Sequence, residues 1–355
     1  MYLRLIFSLL GAAALAGAQA PSASVPTTTT SPAAASLVAP RIGMIDFYGL
    51  NKVPEDRLRK TLGFTDGDPF PRSKADVEEH LDALPGVVES HLEAVCCDAG
   101  KMVLYVGIEE RGTAHFDLRD PPESEVVLPA AITTAYRGFL EAFENAARRG
   151  VTAEDLTRGH ALAADRLTRE IQQQFVDMAR DHVRELRDVL RNSADDEQRA
   201  IAAYVMAYAP RKTDIADDLQ FALRDADPAV RANAARGLMA LTVYARLNPD
   251  SGLRLEPTWF IEMLNSLSWS DRDHALRELQ LLTDARDAMV LGQLRERALN
   301  SLVEMARWKT LAHALPAFVL TGRVAGISEQ QIQDAWTRGD RESVISAATG
   351  KKKTR

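Results

Sequence analysis

From residue 123 onward apolar residues recur every three or four positions, whereas between residues 41 and 111 short alternating runs are separated by glycine, proline and aspartate. The first rhythm predicts helices and the second a small α+β unit. In the front segment Ile45 and Phe47 open a strand, Gly49-Leu50-Asn51 turns it, and Pro54 starts a short helix carrying Leu58 and Leu62. A Gly-Asp-Pro-Phe turn at 67–70 leads into a helix with Val77, Leu81 and Leu84, which Pro85-Gly86 ends. Two strand-like runs follow, Val87 to Cys96 and Met102 to Glu109, joined by Asp98-Ala99-Gly100. The order is strand, helix, helix, strand, strand. If the last strand pairs with both others, Val88 to Val95 is an outer edge able to accept an added strand, with Ser90 and Glu93 lining the groove; the alternative is an edge protected by His91 and Glu93 or covered by the helical half.

Residues 123–192 read as a helical adaptor or an extra layer of the array that follows it. Tyr136, Leu140 and Phe143 mark one face of its first helix, Gly150 ends that helix, and Thr152 with Asp155 suggests a capped restart. Leu167, Ile171, Phe175, Met178 and Leu186 continue an apolar stripe. Residues 225–238, DADPAVRANAARGL, carry the sharpest local pattern. Asp227 is an N-cap whose carboxylate can take N–H groups near Val230, and Pro228 at the first helical position loses no hydrogen bond. Ala232, Ala234 and Ala235 keep this helix thin, while Val230, Leu238 and Leu241 give it apolar bulk. The pattern occurs once more upstream in register: Asp195 matches Asp227, Arg199 matches Arg231, Ala202 and Ala203 match Ala234 and Ala235, and Met206 matches Leu238.

The 225–238 motif and its copy resemble the HEAT-like repeat family, which implies stacked helix pairs over residues 193–348. In that family an Asp and an Arg form a ladder between repeats, so the resemblance gives that role to Asp195, Arg199, Asp227 and Arg231. Beyond residue 250 the signature fades: Asp271 begins a helix to 283 with Ala275 in the arginine position. Further helices are expected over 257–268, 288–307 and 328–347, with Pro316 interrupting the segment between the last two. The 41–111 segment resembles a POTRA domain in its element order, the glycine of its first turn, the Gly-Asp-x-Phe before its second helix and the closing Ile108-Glu109-Glu110. Such domains contact polypeptides in bacterial outer-membrane assembly, transport and cell division. This chain has one copy and no membrane-barrel pattern after it, so it is not expected to be a pore itself. The expected fold class is therefore mainly α with a small α+β domain, a POTRA-like βααββ module followed by a HEAT-like solenoid.

Charge and targeting signals set the compartment. Residues 1–20 combine Arg4, an apolar core from Leu5 to Leu15 and the small-x-small Ala18-Gln19-Ala20, a signal peptide with cleavage expected near Ala20. Residues 21–40 form an uncharged Pro/Ser/Thr/Ala-rich linker, and 349–355 a basic tail. The expected product is exported, periplasmic or secreted, and without a transmembrane span. A net charge of −7 argues against nucleic acid. A protein or peptide partner of the cell envelope is the class the resemblances imply.

Candidate chemistry is sparse. No nucleophile elbow, H-E-x-x-H, P-loop or dinucleotide turn occurs, so no catalytic residue, cofactor or metal is assigned and a non-enzymatic scaffold is favoured. The alternative class is an envelope enzyme or enzyme subunit lacking a recognisable catalytic motif. Asp181, His182 and Glu185, with Asp177 and His160 as conceivable additions, form half a metal site at most; an ordinary polar helix surface is the favoured reading. Trp259 and Trp269 are candidate partner anchors, with Glu262 and Asn265 as polar contacts, although filling the core between repeats is the favoured role for such aromatics. Cys96 and Cys97 are expected as one buried and one exposed thiol, since strand neighbours face opposite ways; a vicinal disulfide, intermolecular pairing or oxidation are the alternatives.

Overall fold

Strand β1 (Ile42–Tyr48), helices α1 (Glu55–Leu62) and α2 (Lys74–Asp82), and strands β2 (Val87–Asp98) and β3 (Lys101–Glu110) follow in the order read from the sequence. The computed structural model describes residues 41–98 and 101–350, so the signal-peptide and linker assignments, and all of the basic tail beyond Gly350, lie outside the described residues. The sheet has the order β1-β3-β2, with β1 parallel and β2 antiparallel to the central β3. Helix α1 ends at Gly63, whose φ of 74° places it in the left-handed region. Ser73 caps α2 by accepting the Asp76 N–H.

The sheet's two faces are chemically distinct because successive strand residues point opposite ways. Ile45, Phe47, Leu92, Leu104 and Val106 form a mostly aliphatic core with Leu58, Leu62 and Leu81 of the two helices. Tyr48, Val103 and Tyr105 instead join the core of the large helical region. The described residues belong to one compact unit.

Among the described residues fourteen α-helices occur, so the molecule is mainly helical with a small three-stranded sheet. Helix α3 (Ala130–Arg148) is followed by the two-residue strands β4 (Glu154–Asp155) and β5 (Leu162–Ala163), then α4 (Arg166–Asp181) and α5 (Val183–Asn192). The helix therefore restarts after Asp165, which caps the Thr168 N–H, rather than at Thr152 and Asp155. Thr157 N–H and hydroxyl bond the Asp155 carboxylate within the hairpin, which is why that acid caps no helix.

The remaining helices are α6 (Asp196–Met206), α7 (Thr213–Ala222), α8 (Pro228–Leu247), α9 (Thr258–Met263), α10 (Trp269–Leu282), α11 (Ala288–Ala306), α12 (Leu311–Val324), α13 (Glu329–Thr337) and α14 (Arg341–Thr349). Helix α6 packs on α8, α8 on α10, α10 on α12 and α12 on α14. The 328–347 helix is two helices, broken where Gly339 takes a φ of 70° before Asp340. The segment assigned to an interruption is helix α12, which accommodates Pro316 internally. Proline there removes a single N–H bond, whereas Ala314, Ala317, Phe318 and Leu320 are all buried, so packing outweighs the break.

Cys96 is disulfide-bonded, and the chain's other cysteine is Cys97. This corrects the expectation of separate thiols. The β2–β3 register shifts between Val95 and Asp98, and the side chain of Cys97 lies outside the described residues.

Candidate functional site

A cleft of about 1000 Å³ opens between the β1–α1 turn, the exit of β3 and helices α11 and α14. Its walls exist because the aromatic face of the sheet docks on the starts of α10 and α12. Tyr48 donates its hydroxyl to Leu267 O at 2.7 Å, and the Tyr105 ring stacks on Trp269 with centroids 5.3 Å apart. Trp308 lies 4.9 Å from Tyr105 and 5.9 Å from Tyr48. Burial raises the Tyr105 pKa, so its phenol stays protonated, and its oxygen hydrogen-bonds with His313 Nδ1 at 2.7 Å. Gly107 makes the approach feasible: a Cβ there would meet Leu267 O at 2.5 Å and the Tyr48 ring at 2.7 Å.

Directional polar contacts fix the orientation of the two parts. Ser268 begins α10 without a side-chain cap of its own, and the Glu93 carboxylate takes that place. It accepts Ser268 Oγ at 3.1 Å, Ser270 N–H at 3.2 Å and the Ser270 hydroxyl. At the cleft floor Glu304 accepts the Gly49 N–H at 2.6 Å and faces Arg272 Nη1 at 3.3 Å. Burial raises the Glu304 pKa, opposed by Arg272 and the N–H groups of Gly49 and Leu50. Asp46 holds the opposite side of the turn by accepting the Lys309 N–H at 2.8 Å, its own pKa raised by burial against that bond.

The lining offers mixed chemistry. Arg295 is held by the Ala348 and Val324 carbonyls at the ends of α14 and α12, and Arg307 forks onto Glu342 with both contacts at 2.8 Å. Asn265 donates to Arg297 O at 3.1 Å and accepts Ser301 Oγ at 2.7 Å, while Arg297 pairs with Glu262 at 2.9 Å. Leu50, Leu299 and Ile345 supply apolar surface between these polar groups. Such a lining can hold a segment of backbone by hydrogen bonds while covering its side chains.

The six residues selected as partner contacts do not form one site. Asn265 lines this cleft, and Glu262 reaches it through Arg297. Trp259 lies elsewhere, under the Arg224 guanidinium at 4.5 Å. Trp269 is buried at the sheet junction, and Glu93 is the cap of α10. Ser90 is buried, donating to Glu78 O at 3.2 Å, and Glu78 Oε1 accepts the outward Leu92 N–H at 2.6 Å. Helix α2 thus occupies the middle of the β2 edge.

The arginines of the expected ladder do join successive helices, with different acids. Arg199 forks onto Asp225 with two 2.9 Å bonds and donates to Ser193 O and Ala194 O. Arg231 meets Asp271 at 3.0 Å and donates to Asp225 O and Ala226 O. Asp195 and Asp227 are N-caps of α6 and α8 instead, each four residues before its arginine, so their carboxylates are spent on local N–H groups. Arg272 stands four residues after Ser268, donates to Ser266 O at 2.6 Å and reaches Glu304. The third arginine was missed because Asp271 was read as the cap of α10. The signal for it was the Ser-Trp-Ser-Asp-Arg run at 268–272.

Other perturbed groups sit outside the cleft. Glu278 is buried and contacts the Thr242 hydroxyl, and burial pushes its pKa up to about 7. Lys212 is pushed down to about 8 by burial and donates to Ala207 O while facing His160 Nδ1 at 3.3 Å. His182 and Glu185 lie 3.5 Å apart on an exposed helix start. Among the described residues no group of three or more His, Cys, Asp or Glu side chains is placed to hold a metal ion, and no helix is long and apolar enough to cross a membrane. Comparison with protein-family models and with curated proteins gives no match.

Proposed function

We propose that the protein is an exported, non-enzymatic interaction scaffold of the bacterial cell envelope whose cleft receives a segment of a partner polypeptide, in a setting linked to outer-membrane assembly or transport. The observation that carries this reading is that the cleft is walled by both parts of the molecule, the β1–α1 turn on one side and α11 with α14 on the other. A POTRA-like origin for the front unit is supported by its βααββ order and central β3. A HEAT-like origin for the helices is supported by the repeated arginine four residues after a cap, at Arg199, Arg231 and Arg272. Export rests on the pattern of residues 1–20.

A photo-cross-linking residue at exposed Asn300 in the cleft, compared with one at exposed Glu141 on α3, tests the proposal in intact cells. The reading expects a discrete polypeptide adduct from position 300 that is absent from position 141, on a mature chain beginning near residue 21. Equal or no adducts at the two positions, or a chain retaining its first twenty residues in the cytoplasm, would contradict it.

A further inference from the structure

A second surface, none of whose residues lines the cleft, gathers cations around two aromatic rings. The connection between β3 and α3 runs past the end of α7, where the Arg119 N–H donates to Arg224 O at 2.8 Å and Arg224 Nε donates to Asp117 O at 2.9 Å. The Arg119 guanidinium lies 3.1 Å from the centre of the Phe221 ring, Arg191 lies 4.2 Å from the same ring, and Arg224 covers Trp259. Arg187 and Arg199 adjoin them. Two buried carboxylates serve this group: Asp218 takes Arg187 and Arg191 at 2.6 Å, and Asp225 takes Arg199.

Arg119 and Arg224 form no ion pair among the described residues, and Arg119 Nε is buried without a hydrogen-bond partner there. Burial, then the repulsion of Arg224, Arg191 and Arg199 against the attraction of Asp225, lowers the Arg119 pKa to about 10. The nearby Asp117 carboxylate is engaged by His115 at 2.9 Å. The Asp218 site shows what this chemistry accepts: Arg191, stacked on Phe221, gives two N–H bonds to one carboxylate oxygen while Arg187 Nε binds the other.

We propose that Arg119, Arg224 and the outer side of Arg191 form a docking surface for an acidic polypeptide segment, whose carboxylates complete the ion pairs these arginines lack. Charge complementarity selects the occupant, and the apolar flanks select a polypeptide over a free oxyanion. Leu118 is 43% exposed beside Arg119, and the partly exposed Phe221 and Trp259 rings extend the surface with groups that suit aliphatic side chains between the acids. Stacking holds each guanidinium in place before binding, which lowers the ordering cost.

The test is fluorescence anisotropy of a labelled short peptide alternating Glu and Leu, titrated with the full chain over a salt series, beside a Lys/Leu peptide and inorganic phosphate. The expected result is saturable binding of the acidic peptide that weakens with salt, no binding of the basic one, and at least about a tenfold loss of affinity in Arg119→Gln. Leu118→Glu, at an exposed position that leaves the fold intact, produces a similar loss by placing an acid against the same arginines. Absence of acidic-peptide binding, or equal affinity in both variants, overturns the proposal. So does Arg119-dependent binding of phosphate without binding of the peptide, which would define a small-oxyanion site.

Discussion

The helical stack and the sheet–helix junction are joined by different chemistry. Between stacked helices the connection is a buried guanidinium on a buried carboxylate, as in Arg231 with Asp271, repeated at Arg199 with Asp225. At the junction it is close aromatic packing around Gly107, with hydrogen bonds given by Tyr48 and Gly49 and accepted by Glu93. The first joins residues 26 and 40 positions apart. The second joins residues more than 150 positions apart, such as Glu93 with Ser270 and Tyr48 with Leu267. A rung stiffens the stack, whereas the junction sets the width of the cleft.

Breaking a rung should have the largest effect. Arg231→Ala leaves Asp271 buried and unpaired and is expected to destabilise by roughly 3–5 kcal/mol, read as a shift of the urea midpoint. An unchanged midpoint would remove the rungs from the account. Glu278 provides the contrast of a buried acid without an arginine. Its pKa rises from 4.5 to about 7 on folding through burial, so its cost is absent below pH 4.5, grows up to about pH 7 and stays constant above. Glu278→Gln should therefore gain on the order of 3 kcal/mol at pH 8 relative to pH 4 against the parent chain, by the standard value of one pKa step. Equal pH dependence in the two chains would show that Glu278 titrates normally.

Smaller effects separate the junction from the stack. Gly107→Ala places a methyl against the Leu267 carbonyl and should cost roughly 1–3 kcal/mol, with hydrogen exchange rising at β3 and the start of α10 but not at α6 or α8. Glu93→Gln keeps the shape but removes the charge from the α10 N-terminus, for an expected loss of about 1 kcal/mol in thermal unfolding. Uniform exchange across the molecule in Gly107→Ala would mean that junction and stack unfold as one.

Local signals were readable and distant ones were not. The Asp227 cap, Pro228 and the arginine four residues after the cap lie within one helical turn, so the sequence carries them together. The acids that complete the rungs lie 26 and 40 residues further on, and the nearer caps were natural but mistaken partners. The element order of the front unit was legible because turns and alternation are local. Its docking was not, although Gly107 in a run of large strand residues was a hint of close backbone approach. Pro316 misled for the same reason: the break is local, and the burial that overrides it is not. The cleft was legible only through Glu262 and Asn265, since Glu304 and Arg307 have no local pattern that marks them, and the run that marks Arg272 shows an arginine after a cap but not the cleft it enters.

The most direct test of the central claim, that the junction holds the cleft open at a set width, is a distance distribution between spin labels carried by non-natural residues at exposed Asn51 and Asn300, on opposite walls. The account predicts one narrow distance in the parent chain and a broad distribution in Gly107→Ala. A broad or multi-peaked distribution in the parent chain would contradict it.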